Sequence, residues 1–344
     1  MRNAAYFFIT TIAIVITLIY GKTLLIPFVF ALLLWFLVRK IRRLLDKIEF
    51  IKKHLPSWLK NLFPSLIILM LLGFISRILL ANINTLAQSY PIYEANVEII
   101  IKNINQFFNI NVVESLKAHT ADFDFGLILK SIFKSLTDLL SNTFIIIIYA
   151  LFIFLEEVHF NKKLKAAFPE NEQYKEITEI LDKIEDSITN YIGLKTLVSI
   201  ITGIISYVIL LLIGIDSPVF WAFLIFLLNY IPNIGSLIAT LFPALFCLLQ
   251  FGEFTPFLMV LIFVGTVQVL AGNILEPKLM GNSLNISSFV TIFALSFWGA
   301  LWGITGMLLS IPITVIMVII FAHFESTKSI AILLSEKGKI NSLS

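Results

Sequence analysis

Residues Phe220 to Gly252, FWAFLIFLLNYIPNIGSLIATLFPALFCLLQFG, are apolar enough to lie in a bilayer, yet Asn229, Pro232, Asn233, Gly235 and Ser236 crowd the middle of the run. An uninterrupted membrane helix would carry Leu or Ile there. Proline removes a backbone donor and clashes with the preceding turn, and glycine permits the dihedral angles that a sharp bend needs. Backbone groups freed by such a break cannot turn to water in hydrocarbon, so the break survives only if it is buried in protein or lines a polar cavity. The Asn229–Gly235 stretch is therefore a candidate substrate site.

Composition places the whole chain in the same setting. Of 344 residues, 58% are hydrophobic and 14% charged, with a mean hydropathy of +0.95, whereas about a quarter of a soluble domain is charged. The expected fold class is an all-α polytopic membrane protein. The net charge of +3 is small, and the basic residues sit in blocks beside apolar runs, where they set orientation rather than bind nucleic acid. Cys247, the single cysteine, lies inside an apolar run, which excludes an intrachain disulfide and a cysteine metal cluster. No cofactor or metal is expected.

Residues 4–20 and 24–38 read as two spans joined at Gly21-Lys22, followed by Arg39, Lys40, Arg42, Arg43, Lys47, Lys52, Lys53 and Lys60 against only Asp46 and Glu49. So dense a basic block marks the cytoplasmic side and places the N-terminus there too. Residues 1–80 thus hold spans one to three around a basic loop at 39–61, the third span being 62–80. Residues 81–138 are amphipathic and extracytoplasmic. Residues 139–193 hold the fourth span, ending at Glu156-Glu157, and a cytoplasmic helical segment whose Ile177, Ile180, Leu181, Ile184 and Ile188 recur at helical spacing. A membrane core follows at 194–322, then a cytoplasmic tail at 323–344.

Between Thr196 and Phe321 only Asp216, Glu253, Glu276 and Lys278 are charged. The order there is span (194–213), overlong broken run (219–250), span (256–274), overlong broken run (286–321, interrupted by Gly299, Gly303, Gly306 and Pro312). The total is eight apolar segments, about six full spans plus two broken or re-entrant hairpins, although three full crossings after residue 216 satisfy the count equally. Two units of opposite orientation in this order suggest an inverted repeat, an arrangement that places sites near the midplane of many secondary transporters.

The quoted stretches resemble a family. Tyr191-Ile192-Gly193, Leu228 to Ser236 (LNYIPNIGS), Gln268 to Gly281 (QVLAGNILEPKLMG) and Trp298 to Pro312 (WGALWGITGMLLSIP) are similar in order and spacing to the autoinducer-2 exporter-like (AI-2E) transporters. The resemblance covers essentially the whole chain. One departure is Ala271-Gly272, where the family pattern has a more acidic or polar pair. The resemblance implies transport across a bacterial inner membrane, either export of a small polar solute such as autoinducer-2 in quorum sensing or sodium/proton exchange, by a homo-oligomer expected to be a pentamer.

No paired aspartates, Ser/His pair or HExxH site points to an enzyme, and no GxxxxGK[ST] loop points to nucleotide use. An oligomeric channel is a further alternative. The expected substrate path comprises Asn229, Pro232, Asn233, Gly235, Ser236, Gln268, Gly299, Gly303, Thr305, Gly306 and Pro312, with its two breaks facing one another at membrane depth. Asn229 and Asn233, four residues apart, would share a face if the helix continued between them. Glu276 and Asp216 are the candidates for ion coupling, since exchange wants a titratable group at the site.

Overall fold

The computed structural model describes residues 2–45, 70, 73, 77, 81, 82, 93, 96, 99, 100, 102, 143–280 and 285–338. Most of the basic loop, the third span, the 81–138 segment and the end of the tail lie outside the described residues. The described residues form helices, with no strand among them: α1 (Arg2–Tyr20), α2 (Lys22–Leu45), α3 (Thr143–Ala167), α4 (Asn171–Ile213), α5 (Pro218–Leu228), α6 (Ile234–Phe251), α7 (Phe254–Leu270), a π turn (Ala271–Leu275), α8 (Glu276–Met280), α9 (Ser288–His323) and α10 (Lys328–Leu334). Among them five helices are long and apolar enough to cross a membrane, or six if the bent α3 counts as one span. The protein is an all-α integral membrane protein.

The chain divides into two compact units. The first comprises Met1–Leu71, Leu139–Gly193 and Asn282–Ser344; the second comprises Leu72–Asp138 and Leu194–Gly281. Helix α4 passes from one to the other without a break. Its 43 residues span about 64 Å, roughly twice the hydrocarbon thickness. Tyr191-Ile192-Gly193 is thus not a boundary between two helices, because one glycine costs a helix interior only about 1 kcal/mol.

In the first unit, α3 bends by 66° between Phe144–Glu157 and His159–Ala167, at the Glu156-Glu157 pair where the fourth span is expected to end. The basic residues that close α2 are held by carboxylates at this bend and on α4. Arg42 Nη2 donates to Glu157 Oε1 at 2.6 Å, and Trp35 Nε1 donates to Glu157 Oε2 at 3.0 Å. Arg39 and Arg43 each reach the fully buried Glu185 at 3.2 Å, and Lys40 reaches Asp186 at 3.1 Å. Sequence reasoning gives these residues only an orienting role. The structure adds an inter-helix clamp, built because a buried carboxylate must be paired.

Helix α9 is 36 residues long and would extend about 54 Å if straight. Instead Ser287 N, just before its start, donates to Leu334 O, beyond its end, at 3.2 Å. The helix therefore folds back on itself. The reversal sits at Gly303, whose φ of 63° and ψ of −144° are non-helical. Trp298 and Trp302 pack against each other at 5.2 Å and against Leu18, Leu25, Ile26 and Val29. Trp302 Nε1 donates to Leu18 O at 2.9 Å, satisfying a carbonyl in the last turn of α1.

The second unit is built on Phe220, Trp221, Leu224, Ile225, Phe246, Val260 and Val264, which bury α5 against α6 and α7. Pro218 opens α5, where a missing N–H costs nothing. Gly252 closes α6 in the left-handed conformation, with φ of 67°. The rod from Phe254 continues through the π turn into α8.

Candidate functional site

Helix α5 stops at Leu228, and α6 starts only at Ile234. At the far end of the pair, Gln250 Oε1 accepts from Asp216 N at 2.7 Å, while Gln250 Nε2 donates to Gly214 O at 3.0 Å. Those two bonds place the end of α6 beside the start of α5, so 218–251 is a hairpin whose tip is the Asn229–Asn233 break. Asn233 has φ of 59° and ψ of −57°, and Ile234 N donates to Pro232 O at 2.6 Å. This is the rare γ-turn that stores strain. Gly235 is buried because a β-carbon there would lie 2.8 Å from the Leu228 carbonyl carbon and closer still to its oxygen.

The two asparagines do not share a face, because the helix ends before both. Asn229 is buried and its Nδ2 donates to Thr202 Oγ1 on α4. Asn233 is exposed, and its carbonyl accepts from the half-buried Ser236 Oγ at 2.9 Å. Beside Asn229, the Tyr230 hydroxyl bonds Thr196 Oγ1 at 2.6 Å. Gln268 is buried on α7, with no partner for Nε2 among the described residues. Pro232 is half-buried in the tip.

The second break has a comparable construction inside the first unit. A β-carbon at Gly306 would lie 2.6 Å from the Trp298 carbonyl carbon, and one at Gly299 would lie 3.0 Å from Met307. Gly303 is exposed, Thr305 half-buried, and Gly306 and Pro312 buried, the last well beyond the tip.

The two coupling candidates stand at opposite ends of the second unit. Asp216 accepts from the Tyr93 hydroxyl at 2.7 Å, and Asn96 Nδ2 donates to Leu249 O and Gln250 O at 2.9 and 2.7 Å. These bonds clamp the hairpin's open end. Glu276 is ion-paired with Lys195 Nζ, and Lys195 is 4% exposed. The pairing joins α4 to α8, although Lys278 stands only two residues from Glu276. Lys195, Thr196, Thr202, Tyr93 and Asn96 carry the geometry but escape sequence reasoning.

With this geometry in view, comparison with known proteins decides the family. The family model described as AI-2E family transporter matches residues 8–326. The chain belongs to the AI-2E transporter family. Among its relatives, the AI-2 transport protein TqsA of Escherichia coli K12 is 29% identical over 324 residues, 93% of this chain and 92% of TqsA. A Borreliella burgdorferi protein named "Putative transport protein" is 34% identical over 267 residues, 76% of this chain and 72% of that one. YhhT of Escherichia coli K12, which carries the same description, is 41% identical over 147 residues, 43% of this chain and 42% of YhhT. These AI-2E relatives are named for transport, in keeping with a transporter rather than an enzyme.

Proposed function

We propose that this AI-2E transporter exports a small, uncharged polar solute of the autoinducer-2 type across the bacterial inner membrane. One observation carries the reading: Asn229, at a strained break in an apolar hairpin, is buried and holds Thr202 of α4. A buried polar group in hydrocarbon is costly and marks a functional path. In each hairpin a glycine after the break is pressed on a carbonyl of the preceding half, Leu228 in one and Trp298 in the other, which supports an inverted repeat. The resemblance to TqsA over 93% of the chain supports the solute class.

The test is reconstitution in liposomes, with autoinducer-2 flux followed beside sodium-driven pH change. Saturable autoinducer-2 flux with counterflow is expected. Sodium/proton exchange without it would overturn the reading in favour of an antiporter, and single-channel currents would favour a pore. The transporter works as a homo-oligomer, a pentamer by the family resemblance.

Both termini, 39–61, 156–193 and 323–344 face the cytoplasm, and 81–138 faces outward, as the basic blocks direct. Reporters active on one side of the membrane, fused within each segment, test this. A cytoplasmic signal from 81–138 would overturn it.

A further inference from the structure

Helix α4 carries a buried polar ladder through the second unit. Lys195, Ser199, Thr202 and Ser206 are 4%, 0%, 1% and 0% exposed. Their spacings of four, three and four residues put them on one helical face, along about 16 Å. A hydroxyl inside a helix ordinarily donates back to a carbonyl three or four residues earlier. Thr202 does so to Val198 O, as do Thr240, Thr266, Ser310 and Thr314 in their own helices. Ser199 Oγ and Ser206 Oγ do not; both are buried with no partner among the described residues. Leaving such groups unpaired is costly, so the face is shaped for something to pair with them.

A third unpartnered group, Gln268 Nε2 on α7, is independent of α4. Two registers place it at the same depth. Glu276 lies eight residues past Gln268, and the π turn between them takes in one extra residue, leaving seven, or two turns of one face. Glu276 reaches Lys195, and two turns up α4 from Lys195 is Thr202. Separately, Gly265 of α7 lies 3.5 Å from the Thr240 side chain by its ideal β-carbon. In the antiparallel α6–α7 pair, Gln268 is then level with Ser236 and Leu237, beside the hairpin tip.

We infer that Ser199, Thr202 and Ser206 of α4, with Asn229 and Gln268, form a binding site for one small neutral polyhydroxylated solute, with the Lys195–Glu276 pair as its charged floor. The inference rests on the export reading and names the residues that would hold its substrate. Hydroxyls of a polyol both donate and accept, which matches serine hydroxyls and amides. A bare cation would find only acceptors useful, and the one cation on this face is already paired.

The test uses the full-length protein in liposomes with Cys247→Ser as background. Single cysteines Ser199→Cys and Ser206→Cys are treated with a small water-soluble methanethiosulfonate and read by intact mass. Val198→Cys and Leu210→Cys, buried apolar positions on the same helix, are the controls. The two serine positions should react while the controls stay inert. Autoinducer-2, or D-ribose as a second neutral polyol, should slow labelling to about one tenth at ten times its dissociation constant. Reactivity that neither probe slows, or cysteines as inert as the controls throughout turnover, overturns the site. Autoinducer-2 flux through the unsubstituted protein is measured in the same preparation. Flux with inert cysteines removes this site and leaves the export reading standing, whereas protection by ribose without autoinducer-2 flux keeps the site and removes that substrate.

Discussion

Replacing Gly235 or Gly306 by alanine should abolish the folded protein, whereas the same change at Gly193 or Gly272 should leave it intact. At the first two positions a methyl group would enter the carbonyl of Leu228 or Trp298, inside van der Waals contact with backbone rather than with a movable side chain. Relieving that overlap means separating the two halves of a hairpin. The expected cost exceeds about 4 kcal/mol, a range that single substitutions seldom reach. Gly193 and Gly272 have nothing within 4 Å of the added carbon, and alanine there gains helix propensity. Gly303 falls between: its surroundings are open, but φ of 63° should cost an alanine about 1–3 kcal/mol. Size-exclusion profiles of fluorescent fusions read all five. A wild-type profile for Gly235→Ala would show that the hairpin tip can spread, and with it that the tight break is not required.

The second large effect is expected at the buried ion pair, and it is asymmetric. Glu276→Gln leaves Lys195 charged, with a side chain only 6% exposed, and should cost about 3–5 kcal/mol. Lys195→Met leaves Glu276, 29% exposed, which water can still solvate, so the loss should be smaller. Removing both partners should recover most of the stability, because a buried pair adds little over apolar groups of similar shape. Thermal unfolding of the two single variants and the double variant in detergent checks the order. Equal losses, or a double variant no better than Glu276→Gln, would mean that the pair is not sealed as its geometry implies. The double variant also bears on coupling: proton-linked flux that persists in it would remove Glu276 from that role.

Much of the candidate site was legible because hydrocarbon makes polar residues conspicuous. Asn229, Pro232, Asn233 and Gly235 stand out in an apolar run, and their expected break is a hairpin tip. A shared face for Asn229 and Asn233 required the helix to continue between them, and here it stops at Leu228. Lys195 and Thr202 were invisible for the opposite reason. A lysine at a span boundary and a threonine among isoleucines are ordinary in sequence, and only burial against Glu276 and Asn229 makes them exceptional.

The sequence by itself determined the solvent, the helical class and the places where helices must break, because the cost of exposing polar backbone to hydrocarbon is local and can be read residue by residue. It also carried the family, through motifs between Tyr191 and Pro312. Whether a broken run crosses or returns was open to it, since apolar length is the same in both cases. That was decided by contacts between residues far apart in the chain: Gln250 on Gly214 and Asp216 in one unit, Ser287 on Leu334 in the other. The same holds for the partner of Glu276, which lies 81 positions away rather than two. Pairing between distant charges depends on which helices meet, and that is set by packing, which no local pattern encodes.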